Sequence, residues 1–133
     1  MIVDSSALVA IVRREPGHEA LVAVLADGPL AGVGTPTLTE TGIVLAARLG
    51  ERGLSLLERL VADAGLVEVP FDEAHWRVAV SAFTRFGKGR HPAALNLGDC
   101  LTYATARIAE RPLLCVGDDF ARTDIELIDD KRL

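Results

Sequence analysis

The chain begins Met1-Ile2-Val3-Asp4-Ser5-Ser6-Ala7-Leu8-Val9-Ala10-Ile11-Val12. Met1–Asp4 is short, apolar and β-branched, which predicts a strand, and Ser5–Arg14 carries the apolar content on over a helical length. An acid therefore stands where a strand hands over to a helix. The same alternation continues outward. Gly17–Ala26 reads as a second helix after the turn signal Glu15-Pro16-Gly17, and Leu30–Val33 as a second strand. Thr35-Pro36 pairs a cap with a first-turn proline and opens a helix to Leu49. Gly50 ends that helix, Gly53 delays the next, and Leu54–Ala64 has apolar residues at helical spacing. Leu66–Val69 is a strand stopped by Pro70. Asp72 caps a helix that reaches Phe86 with Trp76 as a packing residue, and Phe86–Pro92 is a loop rich in glycine and basic residues. A helix from Asn96 or Gly98 to Glu110, a strand over Leu113–Val116 and a short edge strand over Ile125–Ile128 complete the order.

Strands separated by helices require parallel crossovers. The expectation is thus a single domain over residues 1–133, α/β in class, with three α/β/α layers around a central, mainly parallel sheet. The 133 residues are 50% hydrophobic, enough to form a core and to exclude disorder. No apolar run is long enough to span a membrane, and no basic leader precedes the first apolar stretch. Cys100 and Cys115 lack CxxC spacing and read as reduced thiols, so the expected compartment is the cytoplasm. With 14 basic and 19 acidic residues the net charge is −5, which excludes a general coat for phosphate backbones. Any nucleic acid has to meet a local basic patch or a metal held by carboxylates.

The distribution of acids is the most informative feature. Asp4 is the only formal charge in residues 1–12, Glu40 the only one in residues 28–47, and Asp99 the only one in residues 91–106. Stretches this apolar form core, and an isolated buried carboxylate costs several kcal/mol unless something pairs with it. No lysine or arginine lies in any of the three stretches. In parallel sheets ligands bind beyond the carboxyl ends of strands, where Asp4 and the pair Asp118-Asp119 stand. If the acids converge there, a divalent cation with a preference for oxygen ligands, Mg²⁺ or Mn²⁺, resolves their repulsion. Each acid also has a local reading. Asp4 and Asp99 can cap helices, and Glu40 follows Thr37 at capping-box spacing. Arg85, Lys88, Arg90 and His91 crowd the glycine-bearing loop, either as a solvated face or as a phosphate contact. His18 and His75 fall on helix surfaces without zinc spacing.

These segments resemble PIN-domain proteins of the VapC toxin type. The resemblance lies in Asp4-Ser5-Ser6-Ala7-Leu8-Val9-Ala10-Ile11, in Thr35-Pro36-Thr37-Leu38-Thr39-Glu40, in Gly87–Cys100 with its run Asn96-Leu97-Gly98-Asp99, and in Leu113–Phe120, in the right order across nearly the whole chain. It implies a PIN-like fold and an endoribonuclease dependent on Mg²⁺, with Mn²⁺ able to substitute. The same resemblance implies the toxin of a type II toxin–antitoxin system, neutralised by a VapB-type antitoxin. Carried over by position, the catalytic acids are Asp4, Glu40, Asp99 and Asp119. The metal ligands are Asp4, Asp99 and Asp119, with Asp118 as the other candidate for the last acid. Ser6 and Asn96 match residues lining the acidic pocket. Arg85, Lys88 and Arg90 are candidates for gripping RNA, with transfer RNA the expected substrate and a homodimer the expected assembly. Three other readings are a housekeeping PIN nuclease of RNA maturation, a non-catalytic module with an acidic pocket, and an aspartyl phosphatase. The last wants an acid two residues after Asp4, where Ser6 stands.

Overall fold

A computed structural model describes residues 1–133. Four strands form one parallel sheet: β1 (Ile2–Val3), β2 (Gly32–Gly34), β3 (Val67–Val69) and β4 (Leu113–Leu114), in the order β3-β2-β1-β4. Six helices connect them: α1 (Ser5–Val12), α2 (His18–Asp27), α3 (Thr35–Leu49), α4 (Glu51–Asp63), α5 (Glu73–Phe86) and α6 (Leu97–Ala109). No helix is long and apolar enough to cross a membrane. The α/β three-layer expectation holds. Side chains of β1 and β4 alternate between two cores with the period of a pleated strand. Ile2 and Leu113 pack with α5 and α6, whereas Val3 and Leu114 pack with α1 and α2.

The strands are shorter than the apolar runs that announced them, because only the central residues of each run hydrogen-bond into the ladder. Ile125–Ile128 does lie along β4, but through a single bridge between Leu113 and Leu127. The Leu113 N–H donates to the Glu126 carbonyl and the Ile128 N–H to the Leu113 carbonyl, each at 2.9 Å. β1 sits between β2, to which its own crossover leads, and β4, which the chain reaches by crossing back from β3 to the other side of β1. The cleft beyond its carboxyl end is therefore a topological switch point, the place where such sheets bind ligands.

Three local expectations need correction. Gly53 does not delay α4, which starts at Glu51. It lies where α4 meets the backbone of α3, and a Cβ built on it would stand 2.5 Å from the Leu45 carbonyl carbon and oxygen. His75 is not on a surface: it is buried and closes a capping box with Asp72 at the start of α5. Trp76, expected in the packing, is 51% exposed. In an ordinary helix Gly→Ala gains about 1 kcal/mol. Here the added methyl has no room, so Gly53→Ala should instead lower stability by on the order of 1–2 kcal/mol in urea titration. A stabilised variant would show that α3 and α4 do not touch at this point.

Candidate active site

Asp4 follows β1 and caps α1. Its Oδ2 accepts from the Ser6 N–H at 3.1 Å and from the Ser6 hydroxyl at 2.6 Å. The Ser6 Oγ in turn accepts from the Val116 N–H at 3.0 Å, so one serine ties the ends of β1 and β4 together. Asp4 is only 3% exposed, and its Oδ1 is buried with no hydrogen-bond partner. Buried carboxylate oxygens are otherwise satisfied almost without exception, so an orphan here marks a place for a missing cation or donor.

Asp99 lies in the first turn of α6. Its Oδ2 accepts from the Asn96 N–H at 3.1 Å, while Asn96 Oδ1 accepts from the Asp99 N–H at 2.9 Å, a reciprocal capping box. Burial pushes the Asp99 carboxyl up to about 6, against the pull of the Asn96 N–H, and the charges of Asp4, Asp119 and Glu40 push the same way. Glu40, half-buried on α3, lies against Gly98, where any Cβ would overlap its carboxylate. The capping box that the Thr37–Glu40 spacing predicts does not form, since the α3 cap is Gly34 with no side-chain bond. The local reading of Asp4 as a cap is correct, whereas the cap of α6 is Asn96 and Asp99 is its capping-box partner; neither arrangement excludes the other role. Each carboxylate spends one oxygen on its helix and leaves the other without a hydrogen bond.

Asp119 is exposed just beyond β4, and its charge reaches both Asp99 and Cys115. Asp118, also exposed, is not among the groups acting on either. The sequence marks Cys115 only as a reduced thiol. Burial drives its thiol up to about 12, with Asp4, Asp119 and Asp99 adding to the shift. No signal short of the folded sheet shows that it faces the acids. No three of the acids are gathered around one point as a ready-made cage. The donor set still suits a hard divalent cation. Every donor is a carboxylate oxygen, one is buried and unpartnered, and Mg²⁺ characteristically takes only one or two carboxylates and keeps its waters.

The basic candidates are not equivalent. Arg85 is ion-paired to Asp124 at 3.0 Å and stacks over Phe86, in a cluster with Tyr103 and Arg107. Arg90 lies over the Phe83 ring at 5.6 Å, and Lys88 is exposed. Beside Glu40 and Asn96 opens a groove of about 820 Å³, continued by an apolar face on which Ile43, Trp76, Val80, Phe83 and Leu97 are all exposed.

The PIN domain family profile matches residues 1–126. VapC ribonuclease Mb2004c of Mycobacterium bovis is 49% identical over 127 residues, 95% of this chain and 91% of that protein. Ribonuclease VapC of Mycolicibacterium smegmatis is 41% identical over 96% of this chain and 99% of its own length. In backbone the chain is similar to Mycobacterium tuberculosis VapC20, a sarcin-ricin loop cleaving toxin, with a TM-score of 0.79 at 16% identity over 97% of this chain and 98% of that one. VapBC2 from Rickettsia felis, bound to promoter DNA, gives 0.76 at 14% identity over 96% of both chains.

The raised Asp99 has a consequence for stability. Its folded value of about 6 lies above its ordinary 3.8, so the folded chain holds the extra proton between them. The stability this provides is fully present below the unfolded value and is lost as pH rises toward 6. At neutral pH the Asp99 charge is a cost, and an asparagine amide oxygen can still accept from the Asn96 N–H. Asp99→Asn should therefore raise stability in EDTA at pH 7 by on the order of 1 kcal/mol, after discounting for the solvent that reaches this half-buried group. The gain should fade near pH 4. Thermal melts at the two pH values check it, and a variant destabilised at pH 7 would show that the carboxylate contributes more as a cap than it costs as a charge.

Proposed function

Because this chain belongs to the PIN-domain family, among the VapC ribonucleases, we propose that it is a metal-dependent endoribonuclease and the toxin of a type II toxin–antitoxin pair. The observation that carries this reading is the buried, unpartnered Asp4 Oδ1, next to an Asp99 carboxyl pushed up by burial and by three neighbouring acids. The free oxygens of Asp4 and Asp99, with Asp119, would hold Mg²⁺ or Mn²⁺, some of them through waters the ion keeps, and Asp118 is the weaker choice for the last ligand. When bound, the ion lowers the pKa of water and offsets charge developing on the phosphoryl oxygens.

Glu40 has a different task. It lies against the first turn of α6, beside Asp99, where it orients the attacking water or accepts its proton. Attack at phosphorus breaks the bond to O3′, which takes up a proton and leaves, giving 5′-phosphate and 3′-hydroxyl ends. Ser6 and Asn96 keep Asp4 and Asp99 in place through the bonds described above. Lys88 and Arg90 supply sequence-independent backbone contacts. Arg85 joins them only if its pairing with Asp124 is released. Transfer RNA is the proposed substrate.

The similar solved structures include toxin–antitoxin complexes from Klebsiella pneumoniae and Rickettsia felis, which supports a VapB-type antitoxin as partner. An antitoxin arginine placed among the acids would compete with the metal and pair strongly with the carboxylates. The exposed apolar face around Trp76, Val80, Phe83 and Leu97 supports a homodimer, since monomers rarely leave such a patch open. The proposed compartment is the cytoplasm.

The test is cleavage of a total small-RNA pool by antitoxin-free protein. Discrete fragments are expected with Mg²⁺ or Mn²⁺ and none with EDTA. Asp4→Asn, Asp99→Asn and Asp119→Asn should each cut kcat/KM by about 100-fold or more, whereas Asp118→Asn should stay within about threefold. Cleavage that survives EDTA would sink the metal mechanism. A protein that neither cuts nor binds Mn²⁺ would be a binding module instead.

A further inference from the structure

Glu40 and Asp99 ride on different helices, and a single hydrogen bond joins those helices. Thr37 on α3 and Thr102 on α6 meet Oγ1 to Oγ1 at 3.1 Å, both buried. The pair sits one turn from each acid, Thr37 three residues before Glu40 and Thr102 three residues after Asp99. It is the middle rung of an antiparallel seam. At one end, a Cβ on Gly34 would come within 2.8 Å of the Thr105 hydroxyl. At the other, Gly98 makes room for the Glu40 carboxylate.

Three other threonines further along these helices behave differently. Thr39, Thr41 and Thr105 donate to carbonyls of their own helix, four residues back. That outlet, the ordinary one for a mid-helix threonine, is open to Thr102 through the Gly98 carbonyl, whereas Thr37 stands in the first turn of α3 with no helical carbonyl four residues back; the two turn to each other. Packing alone does not call for hydroxyls here, because valine has nearly the same shape and buries at no polar cost. Apolar contact is also non-directional and lets helices slide, whereas a hydrogen bond weakens steeply with misalignment.

We propose that Thr37 and Thr102 are positioning residues, whose mutual hydrogen bond sets the register of α3 on α6 and so holds the Glu40 carboxylate over Gly98, beside Asp99. What Glu40 does there rests on the nuclease reading; where Glu40 lies does not. Misplacing a group that orients the attacking water lowers turnover without touching the residues that bind RNA or metal.

Thr37→Val and Thr102→Val should each reduce kcat on the order of tenfold on a synthetic RNA spanning the wild-type cut site. KM and Mn²⁺ affinity should stay within about twofold. Thr37→Ser, which keeps the hydroxyl, should restore most of the loss. In a Glu40→Gln background Thr37→Val should add nothing, because its effect passes through Glu40. A second readout needs no activity. In metal-free protein the ¹³C carboxyl signal of Glu40, identified by its loss in Glu40→Gln, should move in both valine variants and return in the serine variant. Thr37→Val/Thr102→Val, which leaves no lone hydroxyl, replaces any single variant that does not fold. An unmoved Glu40 signal overturns the proposal, as does unchanged kcat or a full Thr37→Val penalty on top of Glu40→Gln. If the wild type cuts no RNA, the nuclease reading fails by itself and the Glu40 signal alone decides the positioning claim.

Discussion

A carboxylate removed from water needs a donor or a cation for its oxygens, and at Asp4 the chain satisfies one of the two. The Ser6 hydroxyl does most of that work, donating to Asp4 while accepting from the Val116 N–H. This short relay joins the end of β1, the start of α1 and the exit of β4. It fixes the floor of the cleft at the point where the crossovers diverge. The cleft then fills from the sides, with α3 bringing Glu40 and α6 bringing Asp99 in its first turn. Were Asp4 satisfied on both oxygens, the same fold would present a closed cap with no reason to attract an ion.

The acids arrive at or near the amino ends of helices, and that placement is physically economical. Exposed N–H groups and the helix dipole favour negative charge in a first turn, which offsets part of the repulsion among Asp4, Asp99 and Asp119. In the proposed mechanism capping and chemistry share the same side chains through different oxygens. Local stability therefore guides each acid to its position before any ligand is present. What capping does not offset shows up in Asp99, held near 6 by burial and by its neighbours. Active sites commonly carry such residual strain, since a group poised to bind a charge is uncomfortable without it.

Much of the architecture was legible because period and punctuation agreed. Thr35-Pro36, Gly50, Asp72 and Asn96 mark helix ends close to where they occur, and the three isolated acids point to one cleft. Other features were hidden because they depend on what lies across the fold. Gly53 looks like a breaker until α3 is seen pressed against it. His75 looks like a surface residue until its ring is found closing a cap. Arg85 counts as a free cation only until Asp124, distant in sequence, arrives beside it. The doubled aspartate Asp118-Asp119 is symmetrical as text. Position beyond β4 separates the two, because the charge of Asp119 reaches Asp99.

The residues after Ile125 close the sheet beside β4 through two backbone bonds to Leu113. A parallel edge left bare invites another extended segment to join it, which is how chains stitch into open-ended aggregates. Here the chain's own residues occupy that seam, leaving β3, with Glu68 in its middle and Pro70 behind it, as the strand flank along which no other segment is laid. A charge and a proline are poor invitations to strand addition. Association is thereby steered away from the sheet and onto helical surfaces, so a crowded cell meets this protein as a body with faces rather than as a template for fibres.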